Sequence, residues 1–463
     1  MNSNTGGGLT AREAAFRALG AYRRADARPD AALGELIDGS SMSAADSALA
    51  TQLVNGVLQN MAYCDYVASV YSSRKINGLE PRVLDILRIS IYQLIFLTKI
   101  PHSAAVNEGV TLAKKHTNPQ AAGFINAVLR TTAQAAADGR LPEAVGEDDF
   151  QRLSIKHSHP EWLVRELCGI LGHAAAESVM EINNGVAPVT AQVNTLLADA
   201  DTVMALLDND GAVAQRHSFL ENCFELRGQG DIRRLSVFRN GYFYVQDAAS
   251  RLAVIAAGPA PGDLVIDGCA APGGKSFAAA IMMKNAGCIK SFDISDKKVT
   301  QINDGAKRLG IEIICAEVRD VAAPDEDYLG KADVVFADVP CSGFGVIRKS
   351  PEIRYKAEGE IAGLPDIQKK ILSNLSSYVR PGGTLLYSTC SILKRENEQV
   401  IEAFLLEHKG FKPDGYSLPG IGQIPGGMLT LWPHIHGTDG FFICKMKRIG
   451  NSEFGIRNCN YVL

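Results

Sequence analysis

The chain has 463 residues, enough for two or three domains of about 150 residues each. It carries 47 Lys and Arg against 51 Asp and Glu, a formal net charge of -4, and 46% of its residues are hydrophobic. This composition excludes a disordered chain, a collagen-like repeat and a single small module.

The first part of the chain predicts a helical domain. Apolar residues recur at helical spacing up to about residue 140, and prolines separate the segments. Helices are predicted at 11–25, 47–71, 80–97, 103–116 and 121–137. Apolar residues cover most of the circumference of the helix at 80–97, which is typical of the buried centre of a bundle. We therefore predict an all-α domain over residues 1–142.

Charge is distributed unevenly along the chain. Residues 1–142 carry 14 basic and 11 acidic side chains, whereas the rest of the chain is net negative. This asymmetry indicates a polyanionic partner, and chance variation on a solvated surface explains it equally well.

The most apolar stretch, 83–97, is too short to span a bilayer, and the N-terminus has no apolar signal segment. We expect a cytosolic (cytoplasmic) protein that contacts no membrane.

The middle of the chain is mixed. The acidic segment 141–150 predicts a linker, and we assign 143–235 to an α+β connecting and RNA-binding subdomain. Its predicted elements are helices at 161–171 and 201–207 and an extended segment at 187–196.

Beyond this point the sequence period changes. Apolar, strand-like runs alternate with helical segments over 236–449, at 264–267, 289–294, 311–315, 332–338, 384–390 and 440–445. This alternation predicts a mostly parallel sheet covered on both faces, a Rossmann-like, doubly wound α/β domain. Residues 450–463 are assigned to a C-terminal tail.

A glycine-rich turn, GCAAPGGKS, follows the strand at 264–267 and opens a helix. Such a turn lets the backbone approach a ligand closely, and Asp293 at the end of the next strand could bind ribose hydroxyls. A P-loop is a competing interpretation, with Asp338 as its magnesium-binding acid, but Cys269 stands where the first glycine is required. Asp293 could also merely cap the helix that begins near Asp296.

Cys341 and Cys390 each follow a predicted strand at the sheet edge where ligands bind in α/β proteins. A lone cysteine is more often a packing residue, but small polar residues flank both of these and favour exposure to a cleft. None of the ten cysteines has the C-x-x-C spacing of a zinc or redox site, so no metal is expected.

Four basic residues follow Cys341 and could hold RNA phosphates or form an ordinary charged loop: Arg348, Lys349, Arg354 and Lys356.

Three motifs occur in order: D-x-C-A-A-P-G-G-K-S, D-x-P-C-S-G-x-G and Y-S-T-C-S. They resemble those of the RNA 5-methylcytosine methyltransferases of the NOL1/NOP2/Sun family. The helical domain, with AAVNEGV and FINAVLR, resembles the RNA-binding NusB fold. The combination is similar to the bacterial RsmB (Sun/Fmu) type, whose members methylate small-subunit (16S) ribosomal RNA.

The resemblance implies S-adenosyl-L-methionine as cofactor and RNA as partner, and we expect a monomer. It implies cofactor contacts from Cys269, Ala270, Ala271, Pro272, Gly273, Gly274, Lys275, Asp293, Lys298 and Asp338, and an adenine contact from Glu317 or, alternatively, Asp320. Four positions depart from the family pattern: Gln192 and Lys298, where Arg is common, Glu317, where Asp is usual, and Val339, where Ala or Pro is usual.

The resemblance also implies the catalytic roles. Cys390 would attack carbon 6 of a loop cytosine, and Cys341 would aid release of the product. Asp338 would bind the base near N3 and Lys275 its oxygen. An alternative function is a non-catalytic RNA-binding or ribosome-assembly factor of the same fold, against which the intact cysteine pair argues. A P-loop NTPase is a further alternative.

Overall fold

The computed structural model describes residues 8–24, 28–227 and 230–450. The chain forms two compact units. One extends to Gly185 and includes Ile347–Tyr355, and the other comprises Val186–Val346 and the chain from Lys356 onward. Of the predicted tail at 450–463, all but the first residue lies outside the described residues.

The first unit is helical. Its described part contains the helices α1 (Ala11–Arg23), α2 (Pro29–Asp38), α3 (Ala44–Gln59), α4 (Met61–Tyr71), α5 (Pro81–Phe96), α6 (His102–His116), α7 (Pro119–Ala137), α8 (Asp149–His157), α9 (Glu161–Leu171) and α10 (His173–Asn183). Helix α5 packs against α1, α3, α4, α6 and α7, so its predicted central position is confirmed. Gly56 of α3 allows part of this packing, because a Cβ atom there would lie 1.9 Å from the ring of Tyr92.

Several helices of the first unit differ from the sequence-based expectation. The predicted helix at 47–71 is two helices, because the chain turns at Asn60, whose side chain donates to the carbonyl of Gly56. Helix α8 begins inside the predicted linker, where the side chain of Asp148 accepts a hydrogen bond from the backbone of Gln151 and caps the helix. Helices α2 and α10 were not predicted.

Arg354 is fully buried in the first unit, on a short 3-10 helix at Pro351–Tyr355. Its guanidinium donates hydrogen bonds to the backbone oxygens of Gln59, His157, Ser158 and Asn183 and to the side-chain oxygen of Asn184, at 2.7–3.3 Å. Burial lowers the pKa of Arg354 to about 10. The expectation that this side chain could hold an RNA phosphate is therefore wrong, because protein oxygens enclose its guanidinium.

The second unit begins with a small antiparallel sheet. In chain order its elements are β1 (Val189–Val193), α11 (Ala200–Asn209), β2 (Val213–Arg216), β3 (Cys223–Arg227), α12 (Ser236–Arg239) and β4 (Phe243–Val245). The strand order is β2-β3-β1-β4. Gln192 of β1 is buried, and its amide donates to the backbone oxygen of Gln246 at 3.1 Å.

A larger sheet forms the rest of the second unit. Its elements are α13 (Ala248–Ala257), β5 (Leu264–Asp267), α14 (Gly274–Met282), β6 (Cys288–Asp293), α15 (Asp296–Leu309), β7 (Ile314–Val318), β8 (Ala332–Asp338), α16 (Glu358–Ile361), α17 (Leu364–Tyr378), β9 (Val379–Thr389), α18 (Glu398–Glu407), β10 (Phe411–Pro413), β11 (Tyr416–Leu418), β12 (Gly422–Ile424), β13 (Met428–Leu431), α19 (Pro433–His436) and β14 (Phe441–Arg448). The main strand order is β10-β14-β9-β8-β5-β6-β7, with β13 paired to β14, whereas β11 and β12 form a separate two-stranded sheet. Strands β5 to β9 are parallel, and β14 is antiparallel to β9.

The predicted fold class, an all-α domain followed by a doubly wound α/β domain, is confirmed. One strand is displaced: the prediction places it at 311–315, whereas β7 begins at Ile314. Helix α15 ends at Leu309, and Gly310 follows it with a positive φ. The backbone N–H of Ile311 then donates to the carbonyl of Ala306, so the residues before Ile314 connect the helix to β7. No helix in the described ranges has both the length and the apolar character needed to cross a bilayer.

The burial of Arg354 leads to a stability prediction. We expect Arg354→Met to lower the free energy of unfolding of the first unit by about 3–5 kcal/mol, because several buried oxygens lose a charged donor. Hydrogen exchange of the amides in α3, α8 and α10 measures this change. Arg130→Met, which removes an exposed arginine of α7, is the matched control. If the amides of α3, α8 and α10 were equally protected from hydrogen exchange in the two variants, the structural role of Arg354 would be contradicted.

Candidate active site

The glycine-rich turn joins β5 to α14 at the carboxyl edge of the large sheet. Gly273 has a φ of +105°, and a Cβ atom there would lie 2.5 Å from the ring of Phe277, so the turn requires glycine. The backbone of Ala270 donates to the carbonyl of Phe292 at 2.8 Å, which places the turn beside the end of β6. The first amides of α14 point out of the helix and can bind a ligand.

Asp267 lies beneath this turn and was not among the predicted site residues. It is 1% exposed, and one carboxylate oxygen accepts a hydrogen bond from Ser276 at 2.7 Å. Ser276 also bonds to Ser291 of β6 at 2.8 Å. The other carboxylate oxygen has no hydrogen-bond partner among the described residues. Burial raises the pKa of Asp267 to about 7, against the opposing effects of Ser276 and Lys275.

Asp293 ends β6 next to the turn and is 7% exposed. Lys298 lies 3.4 Å from one carboxylate oxygen, and the backbone of Ser295 donates to the other at 3.2 Å. The carboxylate therefore supports the start of α15, as one interpretation of the sequence expected. It also stands where the ribose of a nucleoside would follow the turn.

The two candidate adenine-binding acids differ in their surroundings. Glu317 lies opposite Phe292 in the β6–β7 pairing, and its carboxylate binds Lys290 at 3.0 Å and Arg319 at 3.3 Å. The hydrogen bond from Lys290 is the main cause of its lowered pKa. Asp320 follows β7, is exposed, and accepts a hydrogen bond from the backbone of Ala322. Glu317 thus has a structural role that the sequence did not reveal.

Lys275 and Asp338 form an ion pair at the centre of the edge. The amine of Lys275 lies 2.6 Å from Oδ2 of Asp338 and 5.1 Å from the ring centroid of Phe441. Ser388 donates to Oδ1 of Asp338 at 2.6 Å. Sequence analysis missed Ser388, although its place two residues before Cys390 was a usable signal.

The two cysteines meet in the loops that follow β8 and β9. Their sulfur atoms are 3.1 Å apart, and both residues are half-buried. The pKa of Cys341 is raised well above its ordinary value by the hydrogen bond with Cys390, by burial and by nearby negative charges. In the part of the chain that is described, no three His, Cys, Asp or Glu side chains gather as possible metal ligands.

The chain matches known protein families along most of its length. The 16S rRNA methyltransferase RsmB/F family matches residues 254–447, the NusB family matches 9–134, and the ferredoxin-like domain of RsmF/B-like methyltransferases matches 159–233. The probable ribosomal RNA small subunit methyltransferase B of Bacillus subtilis is 37% identical over 95% of this chain and 99% of its own length. The chain belongs to the ribosomal RNA small subunit methyltransferase B family.

Other relatives cover the chain almost as fully. The ribosomal RNA small subunit methyltransferase B of Sodalis glossinidius is 32% identical over 88% of this chain and 90% of its own length. The crystal structure of PH0851 has a TM-score of 0.78 and 28% identity, covering 95% of this chain and 98% of that one. The family resemblance inferred from the motifs is therefore confirmed, and the family implies S-adenosyl-L-methionine as cofactor.

Asp267 generates a pH-dependent stability prediction. Because its folded-state pKa is raised, the folded protein keeps a proton that the unfolded chain releases between about pH 4 and 7. We expect the free energy of unfolding to fall as the pH rises through this window, by up to about 1.4 kcal/mol per pH unit from this group. Urea unfolding at several pH values should show a shallower dependence in Asp267→Asn. The matched control is Asp263→Asn, at the start of the same strand, and an equal change in both variants would contradict the assignment.

Proposed function

We propose that the protein is an S-adenosyl-L-methionine-dependent RNA cytosine-C5 methyltransferase that acts on a loop cytosine of small-subunit (16S) ribosomal RNA. The observation that carries this proposal is the 3.1 Å approach of the Cys341 and Cys390 sulfur atoms. They lie in loops that continue from the strands bearing Asp338 and Ser388. A pair of thiols beside a buried ion pair suits covalent attack on a pyrimidine ring.

The residues around the glycine-rich turn fit the cofactor. The turn and the first amides of α14 offer backbone donors for the carboxylate of its methionine part, and Asp293 offers acceptors for its ribose hydroxyls. Lys298 extends beside Asp293, and Glu317 and Asp320 remain the two candidates for the adenine contact. When bound, the cofactor supplies an electrophilic methyl group.

Cys390 begins the proposed reaction because carbon 5 of cytosine is a weak nucleophile. A bond forms between its sulfur and carbon 6, and the electrons of the C5–C6 double bond become available at carbon 5. After methyl transfer, water takes the proton from carbon 5, the electrons of that C–H bond restore the C5–C6 double bond, and the sulfur leaves carbon 6 as a thiolate. Asp338 and Lys275 hold the base while charge develops on the ring, and Cys341 aids release.

The two alternatives have less support. A non-catalytic assembly factor does not need two half-buried thiols within hydrogen-bonding distance. A P-loop NTPase needs a free acid for magnesium, whereas both oxygens of Asp338 bind protein groups, one to Lys275 and the other to Ser388.

The first unit carries a basic cluster suited to RNA. Arg17 and Lys115 flank Glu13, with one salt bridge of 2.6 Å and one of 2.7 Å. Arg82 is exposed nearby, and its charge acts with those of Arg17 and Lys115 to lower the pKa of His116, after the larger effect of burial and against Glu13. Two cations that pair with one carboxylate, together with Arg82 near His116, leave a positive surface, which we propose contacts RNA phosphates.

The two cysteines should leave opposite traces. We expect Cys390→Ala to abolish both methylation and any covalent protein–RNA species, because no thiolate can add to carbon 6. Cys341→Ala should still attack and methylate, and then remain linked to the RNA. Incubation with target RNA and S-adenosyl-L-methionine, followed by denaturing electrophoresis, separates these outcomes. Bisulfite sequencing of ribosomal RNA from a deletion strain tests the cytosine assignment.

The matched control is Cys288→Ala, which removes a free thiol at the first residue of β6, at the opposite end of that strand from Asp293. It should behave as the wild type. Linked RNA with Cys390→Ala and none with Cys341→Ala would reverse the two roles. Retained activity in both variants would refute covalent catalysis by this pair.

The basic cluster is tested by replacing Arg17, Arg82 and Lys115 together with Gln. We expect weaker binding of target RNA. We also expect the slope of log K against log salt concentration to become shallower by about two to three, since each phosphate contact contributes about 0.7–0.9 to that slope. The matched control replaces the same number of charges in the same unit, at Arg152, Lys156 and Arg165. Deleting residues 1–142 is a poorer test, because the deletion removes a partner of the buried Arg354. Equal losses in the two triple variants would show that binding follows net charge alone.

A further inference from the structure

A buried carboxylate lies beneath the two cysteine loops. Glu396 is 0% exposed, and its oxygens accept hydrogen bonds from three uncharged donors. These donors are the backbone N–H of Ser342 at 2.8 Å, the amide of Gln368 at 3.0 Å and the hydroxyl of Ser391 at 2.8 Å. Sequence analysis assigned Glu396 no role.

Each carboxylate oxygen of Glu396 serves a different loop. Oε2 binds the residue that follows Cys341, and Oε1 binds the residue that follows Cys390. The hydroxyls of Ser342 and Ser391 lie 3.1 Å apart, so the two loops also touch directly above the carboxylate. One side chain therefore connects the two loops that carry the thiols.

The position of Glu396 is itself fixed. Its backbone oxygen accepts a hydrogen bond from the hydroxyl of Tyr387 in β9. The next residue, Asn397, accepts from Thr389 at 2.6 Å and donates to the backbone oxygen of Ser391 at 3.0 Å. These bonds hold both ends of the Cys390 loop against the carboxylate.

Such a carboxylate is costly to bury, because uncharged donors only partly replace its hydration. A well-packed apolar residue of similar volume would cost less free energy on folding. Stability alone therefore does not explain a charged side chain at this position. Its negative charge also contributes to the raised pKa of Cys341, after the hydrogen bond with Cys390 and burial.

We propose that Glu396 is the positioning residue that sets the distance between Cys341 and Cys390, by binding the residue that follows each of them. The catalytic role of this positioning rests on the proposed function. The geometric part can be measured without RNA or cofactor.

Two substitutions separate geometry from charge. In Glu396→Gln, the amide oxygen can accept from Ser342 and Gln368, and the amide nitrogen can donate to the hydroxyl of Ser391 after that hydroxyl reorients. Glu396→Ala removes both links. Both variants lose the charge, so a difference between them reports the links.

The first measurement is disulfide formation between Cys341 and Cys390 in the full chain. Diamide, an azo oxidant, accepts the two electrons and two protons that the thiols release, and peptide mapping identifies the product. We expect formation to slow at least about tenfold in Glu396→Ala and to stay within about twofold of wild type in Glu396→Gln, because a disulfide forms only over a narrow range of distances. The matched control is Glu398→Ala, which removes a carboxylate bound to Thr430.

The second measurement is methylation of target RNA. We expect kcat to fall about 100-fold in Glu396→Ala, with an unchanged KM for S-adenosyl-L-methionine, because a displaced reacting group lowers the rate of the bound complex. Glu396→Gln should restore most of kcat. Ser391→Ala removes the link to Oε1 alone and should give an intermediate disulfide rate, which tests the proposal even if Glu396→Ala does not fold.

The outcomes distinguish the two proposals. Wild-type disulfide rates in both Glu396→Ala and Ser391→Ala would overturn the positioning role. Equal slowing in Glu396→Gln and Glu396→Ala would also overturn it, since charge would then be the cause. A disulfide rate that follows these substitutions in a protein that forms no RNA adduct would uphold the positioning role and refute the covalent mechanism.

Discussion

The pairing register of β8 and β9 determines where the polar groups of the site lie. Asp338 is opposite Ser388 in this pairing, and each strand then continues into a cysteine loop. A shift of one residue would turn Asp338 to the other face of the sheet and separate it from Lys275. The buried apolar side chains of both strands, such as Phe336 and Leu386, resist such a shift, because they would lose their packing. The hydrophobic core thus fixes the position of the ion pair.

Charge burial is the second constraint on this site. Lys275, Asp338 and Glu396 lie at or beneath the carboxyl edge, where the protein replaces part of their hydration with hydrogen bonds. Such groups reduce stability unless each is bonded. Fixed, partly dehydrated charges interact strongly with a charge that develops nearby, which favours chemistry on a ring held against them.

Local signals in the sequence predicted much of the fold. Strands β5 and β8 have the predicted bounds, because clear apolar runs mark them, and helix α15 begins at the predicted position, Asp296. The motifs also placed Asp293, Asp338 and both cysteines at one edge. The break at Asn60, the burial of Arg354 and the network around Glu396 depend on contacts between residues far apart in the chain. Spacing and composition carry no trace of such contacts.

The two thiols have similar loops but need unlike protonation states. A sulfur that attacks carbon 6 must lose its proton, whereas one that aids release can keep it. Cys341 is held toward its protonated form, because the hydrogen bond with Cys390, burial, and the negative charges of Glu396 and Asp338 all raise its pKa. The surroundings of each thiol, and not the side chains themselves, can therefore assign different roles to two chemically identical residues.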